Sequence, residues 1–235
     1  MSGPAIEVPD AAAALAALEA LSDTGRAGQM AEYHKTTRRF MGVPVPQIEA
    51  LVRDWRAACT LEERLALAQG LWDSDIHEAR VAAAKLLTQA RIRPDDAAAW
   101  ALIAGWAEGF DSWAIADHAS IAGGKRLMAD PSRLDQVEAW LGHENMWTRR
   151  AALVMTLPWT RLTHPKPPEV AVRERILGWA AMLANEREWF IQKAVGWWLR
   201  DLSKHDAAMV RDWLARHGER LKPFARREAS RYLHD

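Results

Sequence analysis

Cysteine occurs once in this chain, at position 59; tyrosine occurs twice and phenylalanine four times. A lone Cys59 excludes an internal disulfide and any zinc site built on several cysteines. Val, Ile and Thr are sparse beside Ala, Leu, Arg and Glu, and nothing reads as a run of alternating strands, so the composition predicts an all-α protein. No apolar run is long enough to span a bilayer, and no membrane association is expected. Met1 to Asp10 carries no basic segment, and the Ala11–Leu21 stretch is short and broken by Glu19. That pattern predicts an amphipathic helix and not a signal peptide. The eight histidines show no H-E-x-x-H or related spacing and read as scattered surface or core groups, with no metal site among them. A reducing, cytoplasmic setting is the expectation.

Net charge is also missing: 31 basic residues balance 31 acidic ones. The balance hides a gradient. Residues 1–144 carry 14 Lys and Arg against 21 Asp and Glu, and residues 145–235 carry 17 against 10. A basic half can bind a polyanion without the whole chain being basic. A split of this size also arises by chance or in the service of solubility.

What is present is tryptophan, 13 of it, in an unusual arrangement. In the helix predicted over Trp189–Lys204, Phe190, Ile191, Ala194, Val195, Trp198, Leu199 and Leu202 recur at helical spacing and form one apolar stripe. Trp197 falls on the other side, with Lys193, Arg200 and Lys204. An indole facing outward among cations suits a large, flat anion such as a nucleic acid. The helix predicted over Asp111–Gly123 repeats the orientation. Phe110, Ala114, Ile115, His118, Ile121 and Ala122 make its inward side, while Trp113 and Asp117, four apart, stack on the outward side. An indole lying over its own surface beside a solvated carboxylate would give the same pattern.

Helical segments follow one another with short breaks, and Gly42, Gly123, Gly142 and Gly218 stand at predicted helix ends. The segments over Ile76–Ala90, Asn145–Leu157 and Glu188–Lys204 share a design, a basic residue followed by small and apolar ones. Their spacing is irregular but of the HEAT or armadillo order, roughly 40–47 residues. Stacked helix pairs of this kind build a curved solenoid with a concave face; an ordinary helical bundle is the alternative. No linker divides the chain, so one domain over 1–235 is expected.

Three stretches resemble the AlkD-type alkylpurine DNA glycosylases, which are built of HEAT-like repeats. They are Ser112-Trp113-x-x-x-Asp117, Asn145 to Ala152 with Arg149 and Arg150, and Phe190-Ile191-Gln192-Lys193-Ala194-Val195-Gly196-Trp197-x-Leu199-Arg200. Met30 to Tyr33, Phe40 to Pro46, and Arg226 to Ala229 are similar to other parts of the family, so the resemblance spans nearly the whole chain. It implies a HEAT-like-repeat α-solenoid with a concave DNA-binding face, acting as a cofactor-free monomer on duplex DNA that contains N3- or N7-alkylated purines. It further implies Asp117 as the catalytic carboxylate, with Trp113 and Trp197 as lesion-cleft indoles. Arg150 and Arg200 would grip the DNA backbone, Tyr33 would be a cleft aromatic, and Lys193 and Arg149 would be further DNA contacts. The family often carries an additional acid where this chain has Ala114. That departure keeps a second reading open, a non-catalytic binder of damaged or branched DNA. A scaffold for protein partners is a third.

Overall fold

Every regular element of the computed structural model, which describes residues 8–233, is a helix. The helices group into two compact units, Met1–Ala129 and Asp130–Asp235. Residues 1–7 and 234–235 of the expected domain lie outside the described residues. No helix among the described residues is long and apolar enough to cross a membrane.

The first unit runs α1 (Ala11–Glu19), α2 (Thr24–His34), α3 (Val45–Ala58), α4 (Leu61–Asp73), α5 (His77–Leu86), α6 (Ala97–Gly105) and α7 (Trp113–Ala129). Polar residues start several of these helices where the sequence places them. Asp10 accepts the Ala13 N–H at 2.7 Å and Asp23 the Arg26 N–H at 2.9 Å. Thr60 and Glu63 form a reciprocal capping box on α4. Helix α5 is the centre of the unit and packs on α3, α4 and α7. Its run of small residues explains this. Ala79, Ala82, Ala83 and Ala84 are all 0% exposed, so neighbouring helices approach its backbone closely, while Val81 and Leu86 each contribute roughly 1.5–3 kcal/mol by burial.

The second unit runs α8 (Leu134–Ala139), α9 (Met146–Val154), α10 (Leu157–Thr160), α11 (Pro167–Leu183), α12 (Trp189–Ser203), α13 (Ala207–His217) and α14 (Pro223–Ala229). Here α12 is central, packing on α9, α10, α11, α13 and α14. Its predicted stripe is buried at Ile191, Ala194, Val195, Trp198, Leu199 and Leu202. Two further residues of the same run have architectural roles. Gln192, 0% exposed, donates to the carbonyls of Ala184 at 3.0 Å and Glu186 at 2.8 Å, and accepts the Lys222 N–H at 2.7 Å. Gly196 lets α14 approach, because a Cβ there would stand 2.9 Å from the Ala225 carbonyl oxygen.

The repeat shows itself in hydrogen bonds of recurring sequence separation. Gly42 to Glu78 and Lys85 to Glu49 span 36 residues. Trp106 to Gln69 and Arg149 to Glu186 span 37, Trp179 to Glu138 spans 41, and Trp198 to Thr156 spans 42. Segments some 36 to 42 residues apart thus meet within each unit.

Helix α7 departs from the sequence reading in two ways. It continues through Gly123 to Ala129, and Gly123 and Gly124 are buried within it. Ile121, assigned inward by helical angle, is 50% exposed, whereas Ala116, Ala119 and Ser120 are buried. Most of the perimeter of α7 is enclosed, so an angular stripe does not predict which residue stays outside.

Candidate functional site

In the first unit the segment after α2 is pinned to the start of α5. Glu78, wholly buried, accepts the Met41 N–H at 2.9 Å and the Gly42 N–H at 2.7 Å. His77 donates its backbone N–H to the Arg39 carbonyl at 3.0 Å. Arg38 reaches from the same segment to Asp75 and, at 2.8 Å, to Asp111, two residues ahead of Trp113. Gly42 has φ +80°, and a Cβ there would meet the Asp23 carbonyl oxygen at 2.1 Å; only glycine fits. The Phe40-Met41-Gly42 run therefore holds a backbone turn in place, and the turn in turn places an aromatic ring.

That ring begins a ladder. Phe40 stacks on His77 with centroids 4.5 Å apart, and His77 meets His34 at 4.8 Å. His34 lies 5.1 Å from the Trp113 indole at an interplanar angle of 30°. Tyr33, 70% exposed, stands edge-on to Trp113 at 6.0 Å and 85°. Trp113, half-buried, thus packs on His34, which His77 and Phe40 support from behind, and has the exposed Tyr33 ring against it. Asp117 follows one helical turn later on α7, half-buried as well.

Burial keeps the imidazoles neutral. His77 is pushed down to about 3 by desolvation, reinforced by His34, His118 and Arg38. His118 falls to about 4 by desolvation, with Lys85 adding to it, and desolvation alone lowers His34. The Nδ1 atoms of His34 and His77 have no hydrogen-bond partner. Ring packing holds His34 against the indole and His77 against His34. No group of three or more His, Cys, Asp or Glu among the described residues is placed to hold a metal ion.

In the second unit Trp197 is half-buried, and its Nε1 donates to Asp201 at 3.2 Å. Arg200 pairs with Asp201 at 3.1 Å and also with Glu228. Lys193 is exposed, with its ammonium over the Trp189 ring at 4.8 Å. Trp189 in turn packs on Phe190 and on Phe224. Arg149 is bound to Glu186 at 2.9 Å and donates to the His143 and Glu144 carbonyls. Arg150 is 2% exposed and donates to the Phe190 carbonyl at 2.8 Å.

Of the residues singled out in the sequence, Trp113, Asp117 and Tyr33 thus lie in the first unit, on α7 and the end of α2. Trp197, Arg200, Lys193, Arg149 and Arg150 lie in the second, on α12 and α9. Sequence reasoning missed the ring ladder of Phe40, His77 and His34, and it missed Asp201. The signal for Asp201 was available, since Trp197-x-x-x-Asp201 repeats the spacing of Trp113-x-x-x-Asp117.

A solved structure of a predicted DNA alkylation repair enzyme from Enterococcus faecalis superposes with a TM-score of 0.74 at 23% identity, over 91% of this chain and 97% of that one. AlkD2 from Streptococcus mutans gives a TM-score of 0.60 at 19% identity, over 82% and 91%. No curated protein matches the chain in sequence. At these identities the structures speak for the all-α repeat fold. The family model for DNA alkylation repair enzymes matches residues 14–233, and the chain therefore belongs to the DNA alkylation repair enzyme family.

Proposed function

We propose that the protein is a DNA glycosylase that hydrolyses the N-glycosidic bond of cationic N3- or N7-alkylated purines in duplex DNA. The observation that carries this reading lies on α7 of the first unit: a half-buried indole packed on the His34 ring, with a half-buried carboxylate one turn on. Alkylation at a ring nitrogen makes the base cationic, and it departs as a neutral molecule, so no strong acid is needed. What needs stabilising is the positive charge that grows on the sugar. Asp117 supplies a fixed negative charge near C1′ and holds the attacking water. Trp113 offers its face to the cationic nucleotide, worth about 0.5–2 kcal/mol. Neutral His34 and His77 behind it add no competing positive charge.

In this reading Tyr33, Lys193 and Trp197 touch the duplex, while Arg200 is held by Asp201 and Glu228. Arg149 and Arg150, committed to carbonyls and to Glu186, act through the protein by holding α9 to the start of α12. A non-catalytic DNA binder is the second reading, favoured by Ala114, which is buried and stands where relatives often carry an additional acid. Chromatography of bases released from methylated duplex DNA separates the two. Release of 7-methylguanine or 3-methyladenine supports the glycosylase, and binding without release supports the alternative.

A further inference from the structure

Asp201 lies one turn after Trp197 on α12, with a side chain 9% exposed. Its carboxylate receives the Trp197 Nε1 at 3.2 Å and Arg200 at 3.1 and 3.3 Å. Lys204 approaches it at 3.4 Å and Arg161 at 3.7 Å. Three cations therefore crowd one buried anion. Arg200 is saturated, because Glu228 takes its other side. Arg161 and Lys204 are not. Their side chains are 66% and 42% exposed; Lys204 donates one hydrogen bond to Asp201 at 3.4 Å, and Arg161 reaches it only at 3.7 Å. Lys204 also lies 4.9 Å from the centre of the Tyr232 ring, with Arg231 at 5.8 Å on the same ring, and Tyr232 is 39% exposed.

From this we infer a phosphodiester cradle on the second unit, in which Arg161 and Lys204 take DNA backbone phosphate, Tyr232 forms its wall, and Asp201 is the positioning residue. The physical reason is repulsion between like charges. Bringing three cations within a few ångströms of one another is costly in water and more so at a half-buried surface. A buried carboxylate offsets that cost before the ligand arrives, so the outward donors are already in place for a phosphate. The same carboxylate fixes the Trp197 indole, coupling backbone capture to the aromatic that faces the duplex. The inference rests on the proposed action on DNA and adds to it residues and a division of labour that the AlkD resemblance does not supply.

The test is binding of the full chain to an undamaged duplex oligonucleotide, followed by fluorescence anisotropy across a salt series. The double variant Arg161→Gln/Lys204→Gln is expected to lower the slope of log affinity against log salt by about two, close to 0.9 per phosphate contact. Arg216→Gln is expected to leave the slope alone, because Arg216 pairs with Asp212 on α13, outside the cradle. Asp201→Asn is expected to slow base release about tenfold under single turnover while DNA affinity holds or rises, since a negative charge has gone; a misfolded protein would lose both. A wild-type slope in the double variant would overturn the cradle and leave the proposed function standing. Unchanged base release in Asp201→Asn would overturn the positioning role. Absence of salt-dependent binding by the wild type would overturn the cradle and the DNA reading together.

Discussion

Glu78 accepts the Gly42 N–H at 2.7 Å from a side chain with no exposure to solvent. A buried carboxylate is costly unless backbone donors satisfy it, and here the Met41 and Gly42 amides do so. The pair carries the turn that sets Phe40 against His77. Glu78→Gln should cost about 2–4 kcal/mol of stability, because it removes one charge-assisted acceptor and leaves a donor facing a donor. Gly42→Ala should cost at least as much, through left-handed backbone and a clash with Asp23. Chemical denaturation checks both. Wild-type stability in either variant would mean the turn is not what holds the ladder.

Acid should destabilise the protein through His77. The unfolded imidazole titrates near 6.5 and the folded one near 3. Between these values the unfolded chain binds more protons. The contribution is thus fully present above pH 6.5 and is lost as pH falls toward 3. At about pH 5 the loss is on the order of 2 kcal/mol for this one group. His77→Phe keeps a ring in the ladder and removes the titration, so the fall in Tm between about pH 7 and pH 5 should narrow. An unchanged fall would place the acid sensitivity elsewhere.

Tyr33 and Arg149 should separate cleanly in their effects. Tyr33 is 70% exposed, and Tyr33→Ala should change stability by less than about 0.5 kcal/mol while weakening excision several-fold. Arg149 bridges Glu186 and two carbonyls, and Arg149→Ala should cost about 1–3 kcal/mol with no change in the salt slope of DNA binding. Thermal melts read beside a salt series distinguish the two patterns.

Gly196 sets the approach of α14 to α12. Gly196→Ala should lower stability by about 1–3 kcal/mol, since the added Cβ would stand 2.9 Å from backbone that has little room to retreat. The same substitution at Gly105, where a Cβ would meet nothing within 4 Å, should be neutral or mildly stabilising. Equal melts for the two variants would contradict the close approach.

Much of this was legible in the sequence where periodicity and burial coincide. The α12 stripe was read residue by residue because its apolar spacing is regular, whereas the burial of Gln192, Gly196 and Asp201 on the rest of that helix has no apolar repeat to announce it. Legibility failed on α7, where alanines and buried glycines let neighbours close in from several directions. Gly123 therefore lies inside the helix, and Ile121 stays out. Arginine was the other weak point. Helical angle does not reveal that Arg150 is folded back onto the Phe190 carbonyl. The ring ladder joins residues from three separate segments, and no local pattern marks that meeting.

The most direct test of the central claim is single-turnover release of 7-methylguanine from methylated duplex DNA by the wild type and by Asp117→Asn. The account predicts release by the wild type and a loss of about 100-fold or more in the variant, with DNA affinity preserved. Equal rates in the two proteins would contradict it, because the carboxylate one turn beyond Trp113 would then have no part in breaking the bond.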